Sequence, residues 1–501
     1  MALLDYTSSA RSRVRPGVAA EHPHYKWWAL SCTSLGMLFA TINSGTLIIA
    51  LPDLERSLHT SLLQLVWVIL VYMIASTVLV LSAGRLADLF GRKHAYVGGF
   101  LVFSLASLGA GFSSSGGELL GWRVVQGIGG AFLFANAVAL VTDAFPRRQL
   151  GLAMGTNSMV GAVGFVIGPV LGGALVKLSW HWVFWFNVPL GILGSLWAGL
   201  ILRELAKRDA NRGLDLPGTV VYLAGLTGLV FALSKGGLSG WGDASVLGGF
   251  VAAAVLLPLF VWIERRGRAP MLDLSIFESR LFSAASAAAL LNGLTRFALI
   301  FLFVFYFQGP QGDDPIMAGV KLSPMALAMF VTSPIAGHVA DRRGSRLLAA
   351  AGMLISALAL AGMTTLGALS PYWQSALWLA IVGAGSGIFN SPNTAAMMGA
   401  VPVARRGVAA GARVMLQNTG SVVSISFVMA IVTAAVPKDV LFKIFSGVAS
   451  GLSARQLDPF IANLHTALWV LAAISVIGGV VSLLRPRHAY APDLALAEAR
   501  R

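Results

Sequence analysis

The sequence predicts an all-α polytopic membrane protein made of two duplicated halves, and three observations carry that expectation. Of its 501 residues, 56% are hydrophobic and 11% charged, with a mean hydropathy of +0.77. Soluble domains carry roughly 25% charged residues, and no water-soluble core of this length hides so much apolar surface. A twelve-residue string also occurs twice. Gly84-Arg-Leu-Ala-Asp-Leu-Phe-Gly-Arg-Lys-His-Ala95 returns as Gly337-His-Val-Ala-Asp-Arg-Arg-Gly-Ser-Arg-Leu-Leu348, with Gly84/Gly337, Ala87/Ala340, Asp88/Asp341 and Gly91/Gly344 all 253 residues apart. Each copy is a charged break between long apolar runs. Third, Lys and Arg gather on alternate loops. Duplicated halves with a charged hinge in each are the pattern of a secondary transporter.

About 20 apolar residues cross a membrane as a helix. Fourteen runs reach that length. Residues 27–51 come first, opened by Trp27 and Trp28; 62–83 leads into the first hinge string and 94–113 leaves it. Runs 119–142, 151–176 and 182–202 follow, the last marked by Trp180 and Trp182. Runs 217–235 and 244–263 flank Trp241. Runs 281–308 and 317–338 lead to the second hinge string, and 347–367, 373–398, 407–435 and 464–484 complete the set. Tryptophans at span ends are interfacial anchors.

With the N-terminus inside, 26 of the 36 Lys and Arg fall in cytoplasmic tails and loops, seven fall on the opposite side, and Arg123, Arg296 and Arg413 lie within spans. This bias predicts both termini in the cytoplasm. It makes the net charge of +15 a topology signal rather than a nucleic-acid surface. Arg11, Arg13, Arg15 and Lys26 precede the first span without an apolar run, as in a cytoplasmic tail and not a signal peptide. Cys32 is the only cysteine, so no disulfide forms within the chain.

A second repeat confirms the duplication. Gly127, Gly129, Ala139, Pro146, Gly151, Ala153 and Gly155 match Gly383, Gly385, Ala395, Pro402, Gly407, Ala409 and Gly411 at an offset of 256 residues. The first six spans therefore correspond to the last six, and the organisation is 6 + 2 + 6. A tail (1–26) precedes a six-helix bundle (27–203), a two-helix insert with charged linkers (204–280), a second six-helix bundle (281–484) and a tail (485–501). Segment 436–463 is the longest external loop and has room for an amphipathic helix.

These residues resemble the major facilitator superfamily, and specifically its fourteen-span drug/proton antiporter branch, over nearly the whole chain. Gly84 to Lys93 looks like the superfamily's signature between spans 2 and 3. Arg123-Val-Val-Gln-Gly-Ile-Gly-Gly-Ala131 is similar to its span 4 motif, and Gly164-Phe-Val-Ile-Gly-Pro-Val-Leu-Gly-Gly173 to the span 5 motif of antiporters. Trp180-His-Trp-Val-Phe-Trp-Phe-Asn-Val-Pro-Leu-Gly191 is similar to the segment entering span 6, with His181 where Arg is usual. The resemblance implies a major facilitator fold in a cell membrane, working by alternating access, with spans 1, 4, 9 and 12 lining the pathway.

The hinge residues Gly84, Asp88, Gly91, Arg92, Lys93, Asp341 and Gly344 are expected to gate. The glycines permit a tight turn. Asp88 is suited to a helix N-terminus, with Arg92 and Lys93 as breakable partners or as contacts for anionic lipid heads. Gly164, Gly168 and Gly172 lie on one helix face, where small residues let helices approach closely; Pro169 adds a kink. In the family this string is taken to seal the pathway and favour exchange.

A charge inside a span is costly and marks function. The resemblance pairs Arg123 with a span 1 carboxylate, but Asn43 stands there and carries no proton. Asn43 and Gln126 are then the hydrogen-bonding partners of Arg123, and no Asp or Glu stands at mid-membrane; Asp143, at a span end, is the candidate replacement acid. Trp67, Tyr72, Arg296, Tyr306, Asn390, Arg413 and Gln417 are the expected substrate contacts. Apolar aromatic walls suit lipophilic ligands, and fixed positive charges disfavour strong cations. His181 and His465 face the outer side and are minor candidates for proton carriers. No histidine has the spacing of a metal site, and neither metal nor cofactor is expected.

The expected function is export of amphipathic small molecules, of the multidrug type that confers drug resistance, in exchange for protons. The alternative is a facilitator or a lipid or metabolite exporter without that coupling, on account of Asn43. No phosphate-cradling Gly-x-x-x-x-Gly-Lys-Ser/Thr loop and no convincing His-Asp-Ser arrangement is present, so no enzyme is expected. Membrane lipids surround the chain, and it can act as a monomer because each half packs on the other.

Overall fold

A hydrocarbon layer supplies no water to backbone N–H and C=O groups, so apolar runs of this length satisfy them internally as helices. The computed structural model describes residues 24–146, 149–204, 213, 215–267, 270–402, 405–433, 436–437, 440, 443–444 and 454–486. The first half contains α1 (Tyr25–Leu58), α2 (Leu62–Phe90), α3 (Arg92–Gly111), α4 (Gly116–Ala144), α5 (Leu150–Leu178), α6 (Trp182–Trp185) and α7 (Asn187–Ile201). The inserted pair is α8 (Leu216–Ser239) and α9 (Ala244–Arg266), followed by a 3-10 turn at Leu274–Glu278. The second half contains α10 (Arg280–Gln308), α11 (Pro315–Lys321), α12 (Ser323–Arg343), α13 (Ser345–Met363), α14 (Tyr372–Gly399), α15 (Arg406–Thr433) and α16 (Ala454–Leu483). Among the described residues, twelve helical segments are long and apolar enough to cross a membrane. Helices α5 and α14, 29 and 28 residues long, pack among them.

Packing repeats with the sequence. In the first half α1 packs on α5, α4 on both α2 and α3, and α3 on α7. In the second half α10 packs on α15, α14 on both α12 and α13, and α13 on α16. The halves meet along two seams, α5 against α11 and α12, and α2 against α15. Helix α8 wedges against α2 and α15, with α9 behind it. Val251, Val255 and Trp262 of α9 are exposed, which suits a lipid-facing helix.

Two expected runs are broken. The 182–202 run divides into α6 and α7, three residues before Pro189, and the 317–338 run divides at Leu322, two residues before Pro324. Proline lacks the N–H and its ring crowds the carbonyl four residues earlier. Helix α16 starts at Ala454, so the end of the expected 436–463 loop is helical; most of the rest of that loop lies outside the described residues. The tails 1–23 and 487–501 and residues 205–212 of the first linker also lie outside them.

The hinge strings are corrected in two details. Gly91, at φ +106°, and Gly344, at φ +83°, form the turns, which glycine adopts without steric cost. Gly84 forms no turn: it lies within α2, where a Cβ would sit 3.8 Å from Ala135 Cβ. Asp88 occupies the last turn of α2, not the first turn of a helix.

Close helix approach rests on glycine. A Cβ on Gly168 would stand 3.1 Å from both Gly45 Cα and Ile42 O, and one on Gly172 2.7 Å from Thr46 Cα. The span 5 glycines thus seat α5 on α1. Pro169 lies within α5, and its side chain is outside the described ones. Gly383 does the same for α14 on α12, where a Cβ would overlap the carbonyl oxygen of Met325. Gly383→Ala should cost about 1–3 kcal/mol through overpacking. Gly98→Ala, with open space around it, should leave the melting temperature in detergent unchanged. Equal melting temperatures for both variants would refute the packing argument.

Candidate functional site

A cavity of about 60 Å³ lies where the two halves meet. Helices α1, α2 and α4 line it on one side, and α10, the α11–α12 break, α12 and α15 on the other. Its walls are apolar and deformable, including Ile69, Met73, Phe301, Met325 and Met329. Arg123, Arg296 and Tyr72 are its polar members, and no carboxylate is among the described lining residues. Methionine adapts to varied apolar shapes.

Arg123 is 1% exposed and is held without a counter-ion. Its guanidinium lies over the Tyr72 ring at 4.4 Å. Its Nε donates to Val68 O at 2.8 Å, and Nη1 donates to Gln126 Oε1. Gln126 Nε2 donates to Ser107 Oγ at 2.7 Å and Asn43 Oδ1 at 3.3 Å. Asn187 Nδ2 also donates to Asn43 Oδ1, at 3.3 Å. The link from Arg123 to Asn43 therefore runs through Gln126. The network ties α4 to α1, α2, α3 and α7. Asn43 Nδ2, Asn187 Oδ1 and Tyr72 Oη are buried without hydrogen-bond partners, and each such atom costs about 1–3 kcal/mol.

A second cluster lies in the other half. Arg413 Nη1 donates to Gln417 Oε1 at 2.9 Å, and Gln417 Nε2 to Asn390 Oδ1 at 3.5 Å. Arg413 is close enough to Arg296 to act on it electrostatically, and the Arg296 guanidinium lies 5.3 Å from the Phe297 ring. Two expected contacts stand apart. Trp67 Nε1 donates to Ser234 Oγ of α8 at 3.2 Å. Tyr306 Oη donates to Gly367 O at 2.7 Å, near the far end of α10. Neither lines the cavity.

At the hinge end, Arg92 bridges two helices. It meets Asp88 Oδ1 at 3.0 Å and Asp143 Oδ2 at 2.7 Å. Glu204 caps α3, accepting from Arg92 N at 2.9 Å and Lys93 N at 3.2 Å, where the helix dipole favours an anion. Asp143 is thus a structural partner of Arg92 here. At the second hinge Ser345 and Gly399 stand at the positions matching Arg92 and Asp143. The Asp341 side chain lies outside the described ones. His181 stacks on Trp180 at 3.9 Å, and burial pushes its imidazole below its ordinary pKa. His465 Nε2 is 2.7 Å from Leu366 O.

Sequence reasoning missed Ser107, Asn187 and Glu204. A signal existed for Asn187, the one amide in its apolar string. Ser107 and Glu204 are distant in sequence from the groups they bind, so nothing local marked them.

The model of the Major Facilitator Superfamily matches residues 33–425. The chain belongs to this superfamily. A tetracenomycin C resistance and export protein of Streptomyces glaucescens is 32% identical over 396 residues, 79% of this chain and 73% of that one. A multidrug resistance protein, Stp, of Mycobacterium tuberculosis is 31% identical over 410 residues, 81% of this chain and 75% of that one. A riboflavin transporter, RibZ, of Clostridioides difficile is 26% identical over 459 residues, 91% and 97% of the two chains. This is a multi-pass membrane protein of a transporter family rather than of an enzyme family.

Arg92→Ala should destabilise the protein by about 1.5–3 kcal/mol, the worth of a hydrogen bond to a charged group. Adding Asp143→Asn should recover part of that loss, because Asp88 and Asp143 then no longer face each other as two anions. A double-mutant cycle in thermal melts reads the coupling, and strict additivity would refute the clamp.

Proposed function

We propose that the chain is a fourteen-span exporter of amphipathic small molecules, of the drug/proton antiporter branch, working by alternating access. The names of its relatives, which include antibiotic resistance and multidrug resistance, support the substrate class. Adding α5 and α14 to the twelve apolar segments supports the span count. The Lys and Arg bias supports cytoplasmic termini and a cytoplasmic hinge end. Two six-helix bundles, 27–203 and 281–484, then rock about the central cavity, with Asp88 and Asp341 as latches at that end.

The observation that carries the reading is the cavity itself. It is lined by both halves, its walls are aromatic and methionine-rich, and its fixed charges are cationic. Such a site favours lipophilic neutral or anionic compounds and repels strong cations unless π faces compensate. We place the substrate against Tyr72, Arg123 and Arg296, with Asn390, Arg413 and Gln417 as a neighbouring polar patch. Trp67 and Tyr306 serve packing in this reading.

A second reading rests on Asn43. With an amide there and no carboxylate among the described lining residues, transport without stoichiometric proton exchange is the alternative. Efflux of neutral, anionic and cationic amphipathic dyes from proteoliposomes, with and without a pH gradient, separates the two. Accumulation against concentration only with the gradient establishes the antiporter; equilibration regardless of gradient establishes the facilitator. Arg296→Ala should weaken transport of anionic dyes about tenfold, the equivalent of about 1.4 kcal/mol. High-affinity ethidium transport indifferent to that substitution would refute the charge preference.

Asn43→Asp tests the polar network separately. The new carboxylate receives the two amide donors of Gln126 and Asn187 and lies one residue from Arg123. Efflux should show a pH profile that differs from that of the parent chain. An unchanged pH profile in a correctly folded variant would sink the proposed coupling role of this position.

A further inference from the structure

The insert carries a buried acid that the transport reading leaves unused. Glu264, in the last turn of α9, is 3% exposed. Its Oε2 accepts from Leu272 N at 2.7 Å, and its Oε1 has no hydrogen-bond partner. Asp215, the N-cap of α8, lies within side-chain hydrogen-bonding reach of it. A Cβ added at Gly218 would touch both Asp215 Oδ2 and Glu264 Oε1, so the two oxygens share one small space. Asp215 Oδ1 accepts from Gly218 N at 2.8 Å, and Oδ2 from Met271 N at 3.4 Å. The two acids therefore grip the adjacent amides of Met271 and Leu272.

That segment is a strap. Arg85 of α2 donates to Gly213 O at 3.0 Å and to Pro270 O. Ser82 and Thr219 donate to the sulfur of the buried Met271, which also lines the hinge-end pocket beside Asp88, Arg92 and Gly411. Farther along, Arg405, which precedes α15, meets Asp273 at 3.5 Å and Ser275 Oγ at 2.8 Å. Residues 270–275 thus connect α2 of one half, both inserted helices and the start of α15 in the other half.

We propose that Asp215 and Glu264 form a proton-binding site that holds this strap closed across the hinge end. The groups bearing on Glu264 are Asp215 from α8, Arg85 from α2 and the strap amide of Leu272. Two carboxylates this close do not both ionise freely. A proton taken from water onto Glu264 Oε1 forms an O–H that donates to Asp215 and satisfies the orphaned oxygen; no bond other than the water's own O–H is exchanged. With both acids ionised, mutual repulsion separates the start of α8 from the end of α9 and loosens the Met271 and Leu272 amides. The proton therefore favours the closed strap, and closure weakens as pH rises. The transport reading enters only in naming the cytoplasm as the proton's source, and the test below needs no transport.

The test uses the full chain in detergent. Infrared spectra across a pH series should show a carboxylic-acid C=O band that Glu264→Gln removes. Hydrogen exchange of the peptide covering 270–276, corrected for intrinsic exchange, should lose protection about tenfold for each pK unit separating open from closed strap. Glu264→Gln, which mimics the protonated acid, should hold protection constant with pH. Asp215→Asn keeps a good N-cap and should flatten the same profile, guarding against one misfolded variant. A strap protected equally at every pH in the parent chain would overturn the proposal. So would a profile unchanged in both variants, a band that Glu264→Gln leaves in place, or protection that follows added magnesium instead of pH.

Discussion

A polar group inside the spans is satisfied from within the protein or left at a cost, because a hydrocarbon layer offers no water, and that constraint organises the whole structure. It forces the apolar runs into helices. It also governs how Arg123 is held. The guanidinium is almost wholly buried with no carboxylate beside it, and a backbone carbonyl, an amide and an aromatic face take the place of a counter-ion. Each of these partners comes from a helix that must stand in one place, so the charge fixes the relative positions of α1, α2, α3, α4 and α7. The arrangement is incomplete: Asn43 Nδ2, Asn187 Oδ1 and Tyr72 Oη are left without hydrogen-bond partners.

The two halves are duplicated in packing but not in chemistry. Equivalent helices pair in the same pattern, and both hinges turn on a glycine of positive φ. In the first half Arg92 clamps Asp88 to Asp143 and α5 carries a glycine ridge, whereas Ser345, Gly399 and Ser424 stand at the positions matching Arg92, Asp143 and Gly168. The second half instead presents Arg296 to the cavity, with Arg413 close enough to act on it electrostatically. The duplication therefore supplies one packing scaffold twice, and its later divergence leaves an ion-pair clamp in one half and buried guanidinium groups in the other.

The inserted pair has a mechanical place in this frame. Helix α8 touches α2 through Trp67 and Ser82, and touches α15 through Tyr222 and Thr419. Those are the two helices that form one of the seams between halves. An insert bonded to both sides of this seam, with its linker pinned by Arg85 and Arg405, couples the two halves through its own helices.

What the sequence determined alone was the class, the duplication and most helices, since composition, apolar length and repeat spacing are local or additive properties. Repeat offsets identified Gly91 and Gly344 before their dihedral angles were known. Span 5 glycine spacing likewise announced a close helix contact. Legibility ended where a role depends on a distant partner. Trp67 and Tyr306 carry the side chains expected of a drug contact, yet face α8 and the Gly367 carbonyl. Gly84 matches in both repeats but packs inside α2. Nothing local in the sequence marks Glu204 and Glu264, and only the fold brings them onto the amides of α3 and of the strap. Side-chain direction and long-range partners follow from helix rotation and packing, which no single stretch of sequence encodes. The tertiary structure alone therefore decided which charges line the cavity, which clamp the hinge and which meet as a pair.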